Sequence, residues 1–239
     1  MTSTRPAPSR RASYFALSRS PRYSVLVALP LLLAYEGLAA VLAQPGRGEL
    51  RNGADALLRA AFTAAAGPRG PAVFMAVVIA LGLVLVVRDM RANRDKLRPA
   101  VFGVVIGVTT AKLLGSLHAL AMGPSPLQAM GWPTRLMLSL GAGLYEELFF
   151  RVFLVTGLAA GARVLLGLGR RGAGVFAVIV GAVVFSAFHY IGPFGDPFEL
   201  QSFTFRMLSG VAFSGLYLLR GFGITAWTHA LYDSFLLLL

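Results

Sequence analysis

Long stretches of this chain carry almost no charge, and each approaches the length of a bilayer-spanning helix. A helix needs about 20 apolar residues to cross the hydrocarbon core. Seven such stretches can be read, at roughly 23–44, 71–88, 99–122, 134–160, 173–191, 200–219 and 222–239. A charged content of 13% supports the reading, because soluble domains carry about 25%. The expected fold class is therefore all-α. It is a polytopic transmembrane helical bundle of about seven spans (six to eight), with a polar intramembrane cavity. Integral membrane localisation follows.

Cysteine is absent, which excludes disulfides, thiolate metal sites and cysteine nucleophiles. The net charge is +12. Its basic residues cluster between the apolar runs, where they set orientation and meet lipid head groups. No aromatic–basic interleaving marks a nucleic-acid surface, and none is expected as partner.

Three regions are expected. Residues 1–22 form a basic cytoplasmic tail with Arg5, Arg10, Arg11, Arg19 and Arg22. Residues 23–133 hold N-terminal transmembrane helices and a polar loop at 45–70, in which Ala54–Ala66 could form a short interfacial helix. Residues 134–239 hold the candidate catalytic core. Arg88, Arg91, Arg94, Lys96 and Arg98 follow the second run, Arg163, Arg170 and Arg171 the fourth, and Arg220 the sixth. The loops at 123–133 and 192–198 contain no Lys or Arg. The positive-inside rule thus places the N-terminus in the cytoplasm, with Arg47, Arg51, Arg59 and Arg69 as dissenters on the outside.

Ionisable residues at hydrocarbon depth are costly and each is a functional hypothesis. The fourth run contains Tyr145-Glu146-Glu147-Leu148-Phe149-Phe150-Arg151. Glu147 and Arg151 stand at i and i+4, so they share a face and can pair. Glu146 points about 100° away around the helix. A carboxylate held apart from its paired neighbour suits a general base that activates water. A structural polar clamp is the competing reading of Glu147 and Arg151.

His189 ends the fifth run, and the seventh contains His229 and Asp233 at i and i+4. Two histidines and two carboxylates from three helices could bind water directly, or a metal that binds water. The candidate ligands are His189, His229, Glu146 and Asp233, and a divalent metal such as Zn2+ is the one candidate cofactor. Glu36 and Arg206 read as structural partners, while Lys112 and His118 stay open.

Glu146-Glu147-x-x-x-Arg151, Phe185-x-x-x-His189 and His229-x-x-x-Asp233, in that order on separate apolar runs, resemble the CAAX prenyl endopeptidase/bacteriocin-processing (CPBP, or Abi) family of intramembrane proteases. The resemblance spans about 140–235. It implies a helical membrane fold with a polar cavity opening towards the cytosol. It implies that Glu146 and His189 activate a water for peptide hydrolysis, with His229 and Asp233 supporting the site or its oxyanion. Glu147 and Arg151 become the supporting pair. Both metal-dependent and glutamate-based mechanisms are associated with such proteins. The family commonly has Asn where this chain has Asp233, and an ionised carboxylate cannot donate a hydrogen bond to an oxyanion.

The expected function is an intramembrane endopeptidase acting on a membrane-associated protein or peptide. A proton-coupled transporter and a non-catalytic scaffold or immunity protein are the alternatives. Zincin and site-2 proteases need His-Glu-x-x-His, which is absent. One tension is depth. His189 falls near the outer end of its run and His229 nearer the cytoplasmic end, a mismatch of about 10–15 Å at 1.5 Å per residue. Tilted helices, shifted boundaries or a re-entrant stretch at Gly192–Phe198 would remove it.

Overall fold

The computed structural model describes residues 18–43, 50–92, 107–118, 129–192 and 195–238. Most of the basic tail, the basic segment at 93–98, half of the run at 99–122 and the loop at 123–128 lie outside them. Every regular element among the described residues is helical. We label them α1 (Pro21–Leu42), α2 (Gly53–Ala66), α3 (Gly70–Ala92), α4 (107–118), α5 (Trp132–Leu165), α6 (Arg170–Phe188), α7 (Leu200–Arg220) and α8 (Phe222–Leu238).

Four of these, α1, α5, α6 and α7, are long and apolar enough to cross a membrane. The pair α2 and α3, bent by 110°, passes the same test as one broken or re-entrant unit. Helix α8 is 17 residues long. Their outer faces are oily. On α3, Val73, Val77 and Leu81, one turn apart, are 60%, 49% and 59% exposed. Water would penalise that stripe and lipid does not.

The helix starts follow local chemistry. Ser20 caps α1 by accepting the Tyr23 N–H, with Pro21 in the first turn, where its missing N–H costs nothing. Asn52 caps α2 through the Ala54 N–H. Pro133 opens α5 in the same way as Pro21 opens α1.

At the centre α1, α5 and α8 pack together around Leu31, Leu32, Tyr35, Leu144, Ala226 and Ala230. The Trp227 indole N–H donates to the Val27 carbonyl at 2.7 Å and ties α8 to α1. Two glycines set the spacing here. A Cβ on Gly141 would come within 2.5 Å of the Tyr35 ring and 3.0 Å of Asn52 Cβ. A Cβ on Gly143 would meet the Ala226 carbonyl oxygen at 2.4 Å and the Ala230 nitrogen at 2.5 Å. Both neighbours approach α5 closely because these side chains are absent.

Over Ala142–Glu146 and Leu148–Val155, α5 widens into π-helical turns. Such turns are rare and concentrate at functional sites. The Thr156 hydroxyl donates to the Arg151 carbonyl five residues back, using one acceptor in that irregular stretch.

Of the polar segment 45–70, residues 50–70 are described and are largely helical. Its residues Gly53–Ala66 form α2, close to the short helix expected over Ala54–Ala66. Two of the dissenting arginines, Arg51 and Arg59, have inward partners, while Arg47 lies outside the described residues. Arg51 pairs with Glu36 at 2.9 Å, and Arg59 with Glu36 at 2.9 Å and Asp55 at 2.8 Å. Charges neutralised in this way say little about orientation.

Candidate active site

Helix α5 presents two adjacent carboxylates with different surroundings. Glu147 is fully buried, ion-paired with Arg151 on one side and in contact with His229 on the other. Its Oε2 lies 3.1 Å from Arg151 Nε, and its Oε1 2.7 Å from His229 Nδ1. Because a carboxylate only accepts, His229 Nδ1 carries the proton of that bond. The Arg151 guanidinium is itself buried, stacked 4.3 Å from the Phe185 ring centroid and 5.5 Å from that of Phe213. Ring faces supply attraction to its charge. Here the i, i+4 spacing gives the pair read from the sequence.

Glu146 is turned elsewhere and keeps 9% of its surface exposed against none for Glu147. Its Oε1 accepts a 2.9 Å hydrogen bond from the Asn52 side-chain amide. That partner is neutral, so Glu146 is not consumed by an ion pair as Glu147 is. Asn52 lies 94 residues upstream and sequence reading missed it. Its one visible signal is Asn-Gly before an amphipathic segment, which marks a helix cap and nothing further.

His189 stands at the end of α6. Its Nδ1 lies 2.9 Å from the Phe185 carbonyl, which can only accept, so Nδ1–H donates there. In the neutral ring Nε2 is then left with its lone pair. The chain beyond folds back: the Asp196 N–H donates to the His189 carbonyl at 2.9 Å, and Gly195 N–H to that of Gly192 at 3.1 Å. Residues 193 and 194 of the expected re-entrant stretch lie outside the described residues.

The two histidines meet across one ring. Phe185 packs edge-on against His189 at 5.0 Å and His229 at 6.2 Å between centroids. The depth mismatch inferred from the sequence is thus absorbed: α6 stops at Phe188, earlier than 191, and His229 sits in the middle of the short helix α8. His229 Nε2 faces Asp233 Oδ2 at 3.6 Å, beyond hydrogen-bond length, and its ring stacks on Phe213 at 4.6 Å.

Of the candidate ligands, His229 and Asp233 face one another at 3.6 Å. Among the described residues no three His, Asp or Glu side chains are grouped to hold an ion. His229 Nδ1 is also spent on Glu147. The described residues, as arranged, do not fit a metal centre.

The remaining in-span polar residues have partners. Glu36 accepts from Arg51, Arg59 and the Tyr145 hydroxyl. Arg206 pairs with Asp196 and lies over the Tyr190 ring. His118 Nδ1 lies 2.6 Å from the Tyr232 hydroxyl, and Lys112 Nζ 6.0 Å from the Phe235 ring centroid. These contacts surround the site, and they leave the roles of Lys112 and His118 open. An apolar cavity of about 530 Å³ opens between α1, α3, α5 and the junction of α7 with α8, with Leu144, Tyr145 and Leu148 on one wall.

Comparison with known proteins gives one family match: residues 128–235 match type II CAAX prenyl endopeptidase Rce1-like. No curated protein and no solved structure matched the chain. The matched residues include all three polar motifs, and none of the chain before residue 128. By that match, residues 128–235 of this chain belong to the CAAX protease (CPBP) family.

Proposed function

We propose that this protein is an intramembrane endopeptidase in which Glu146 acts as general base. The observation that carries the reading is the contrast between neighbouring carboxylates. Glu147 is held by Arg151 and His229, whereas among the described residues Glu146 accepts from a neutral amide and retains some exposure. An ion-paired structural clamp does not require the second acid.

In the proposed reaction Glu146 takes a proton from a water, and His189 Nε2 orients that water by accepting its other hydrogen. The water oxygen adds to the scissile carbonyl carbon and its C=O π electrons move to oxygen. Collapse of this intermediate breaks the C–N bond, and the proton held by Glu146 passes to the leaving amine. His229, oriented by Glu147, supports the oxyanion side, and Asp233 stands beside the far edge of its ring. General acid–base catalysis of this kind contributes about 10²–10⁴-fold.

The substrate class is a membrane-associated protein or peptide. The matched family's description names prenyl endopeptidases, and the apolar cavity beside Tyr145 offers room for an alkyl chain. The seven-span arrangement with a cytoplasmic N-terminus belongs to the same proposal.

The test is cleavage of membrane-anchored peptides, prenylated and unprenylated, by the protein in reconstituted vesicles, with and without a strong chelator. Folded Glu146→Gln and His189→Ala variants should both be inactive while the parent cuts. Chelator-resistant activity supports a glutamate-activated water, and chelator-sensitive activity would replace that mechanism with a metal-dependent one. Cleavage by Glu146→Gln at the parent's rate would overturn the proposal and favour the transporter and scaffold alternatives.

A further inference from the structure

Asn52 lies far outside the residues that match the family, yet among the described residues it makes the one side-chain hydrogen bond seen on the Glu146 carboxylate. We infer that Asn52 is a positioning residue for Glu146, supplied to the site by the N-terminal half of the chain. This rests on Glu146 being the base.

The amide's orientation is set by its surroundings. Oδ1 accepts the Ala54 N–H at 2.9 Å, so the NH2 end must face the carboxylate. Asn52 is also fixed through its backbone. Its N–H donates to the Tyr35 hydroxyl at 3.3 Å, and that hydroxyl donates to Asp55 at 2.7 Å. Arg59 holds the other Asp55 oxygen at 2.8 Å. The absent side chain of Gly141 leaves the space that Tyr35 and Asn52 occupy against α5.

A carboxylate on a widened helical turn has several rotamers. Fixing Oε1 selects one and leaves Oε2 to meet a water. A neutral donor does this without a counter-charge, so the carboxylate is oriented and stays available for a proton. An arginine in the same place would orient it too, and would also hold it in an ion pair.

The experiment compares Asn52→Asp, Asn52→Ala, Glu146→Gln and the double variant Asn52→Asp/Glu146→Gln, each as the full chain in vesicles. Asn52→Asp preserves shape and the cap acceptor for Ala54 while replacing the donor with a second carboxylate. It should lower kcat by about 10–100-fold, the range for residues that orient a reacting group, with KM within about twofold. Its melting temperature should fall, and the double variant should recover it, because donor and acceptor are exchanged across the same contact. Asn52→Ala loses the cap as well and should melt lowest.

Parent-like kcat in Asn52→Asp, with Glu146→Gln inactive, would overturn the inference and leave the base assignment standing. No thermal recovery in the double variant would also overturn it, by showing that the two side chains do not pair. Parent-like cleavage by Glu146→Gln would remove the base assignment and this role with it.

Discussion

Glu147 Oε1 lies 2.7 Å from His229 Nδ1, and this contact joins α5 to α8 at the centre of the bundle. The same carboxylate holds Arg151, which has no exit to water. Glu147→Ala should therefore strand a buried guanidinium and cost about 3–5 kcal/mol. The double variant Glu147→Ala/Arg151→Leu removes both charges and should regain most of that loss. It should still cut poorly, because His229 has lost its orienting partner. Thermal unfolding in detergent and peptide cleavage measure the two effects separately. Equal recovery of both would show that Glu147 serves stability alone.

Gly143 makes a second prediction. A methyl group there meets backbone atoms of α8, which cannot rotate away. Gly143→Ala should push α8 and its His229 from α5, costing about 1–3 kcal/mol as overpacking does, together with most of the activity. Gly157 on the same helix has nothing within 4 Å. Gly157→Ala should be neutral, or stabilising by up to about 1 kcal/mol. A melting-temperature comparison of the two variants separates close packing from helix propensity.

The supporting half of the site could be read from spacing, because i, i+4 is a local rule. Glu147 with Arg151 and His229 with Asp233 are juxtaposed as that rule requires. Glu146 was separable from Glu147 by its angle alone. Local rules fail where the partner is remote. Asn52 reaches Glu146 across 94 residues, and no periodicity connects them. They also fail where the helix changes period, since the π-helical turns of α5 leave no mark in residue type. Arg51 and Arg59 resemble loop charges because Glu36, their shared partner, lies inside an apolar run.

Asp233 tests how the far side of His229 is used. Its carboxylate stands 3.6 Å from His229 Nε2. An amide at that position can accept from the ring and also donate to an oxyanion. Asp233→Asn should keep the fold and cut within about tenfold of the parent, in line with the family resemblance. Asp233→Leu should lose about 100-fold or more in kcat, the scale of a lost oxyanion donor or orienting group. Equal rates in the two variants would remove Asp233 from the site.

Orientation offers the last test, because two expectations conflict. The Arg163, Arg170 and Arg171 cluster lies at the end of α5 and start of α6, and the positive-inside rule puts that end in the cytoplasm. His189 terminates α6 at the opposite end, so the site should open on the outer half. The family resemblance implies a cytosolic opening instead. The chain has no cysteine, so a single introduced thiol reports unambiguously. Leu166, at the basic end, and Glu199, beyond His189, are both exposed. With a membrane-impermeant maleimide on intact cells, Glu199→Cys should label and Leu166→Cys should label only after permeabilisation. The reverse pattern would place the N-terminal side of α6 outside and turn the site to the cytosol. It would also show that basic residues here serve the protein's own carboxylates or its lipids more than its topology.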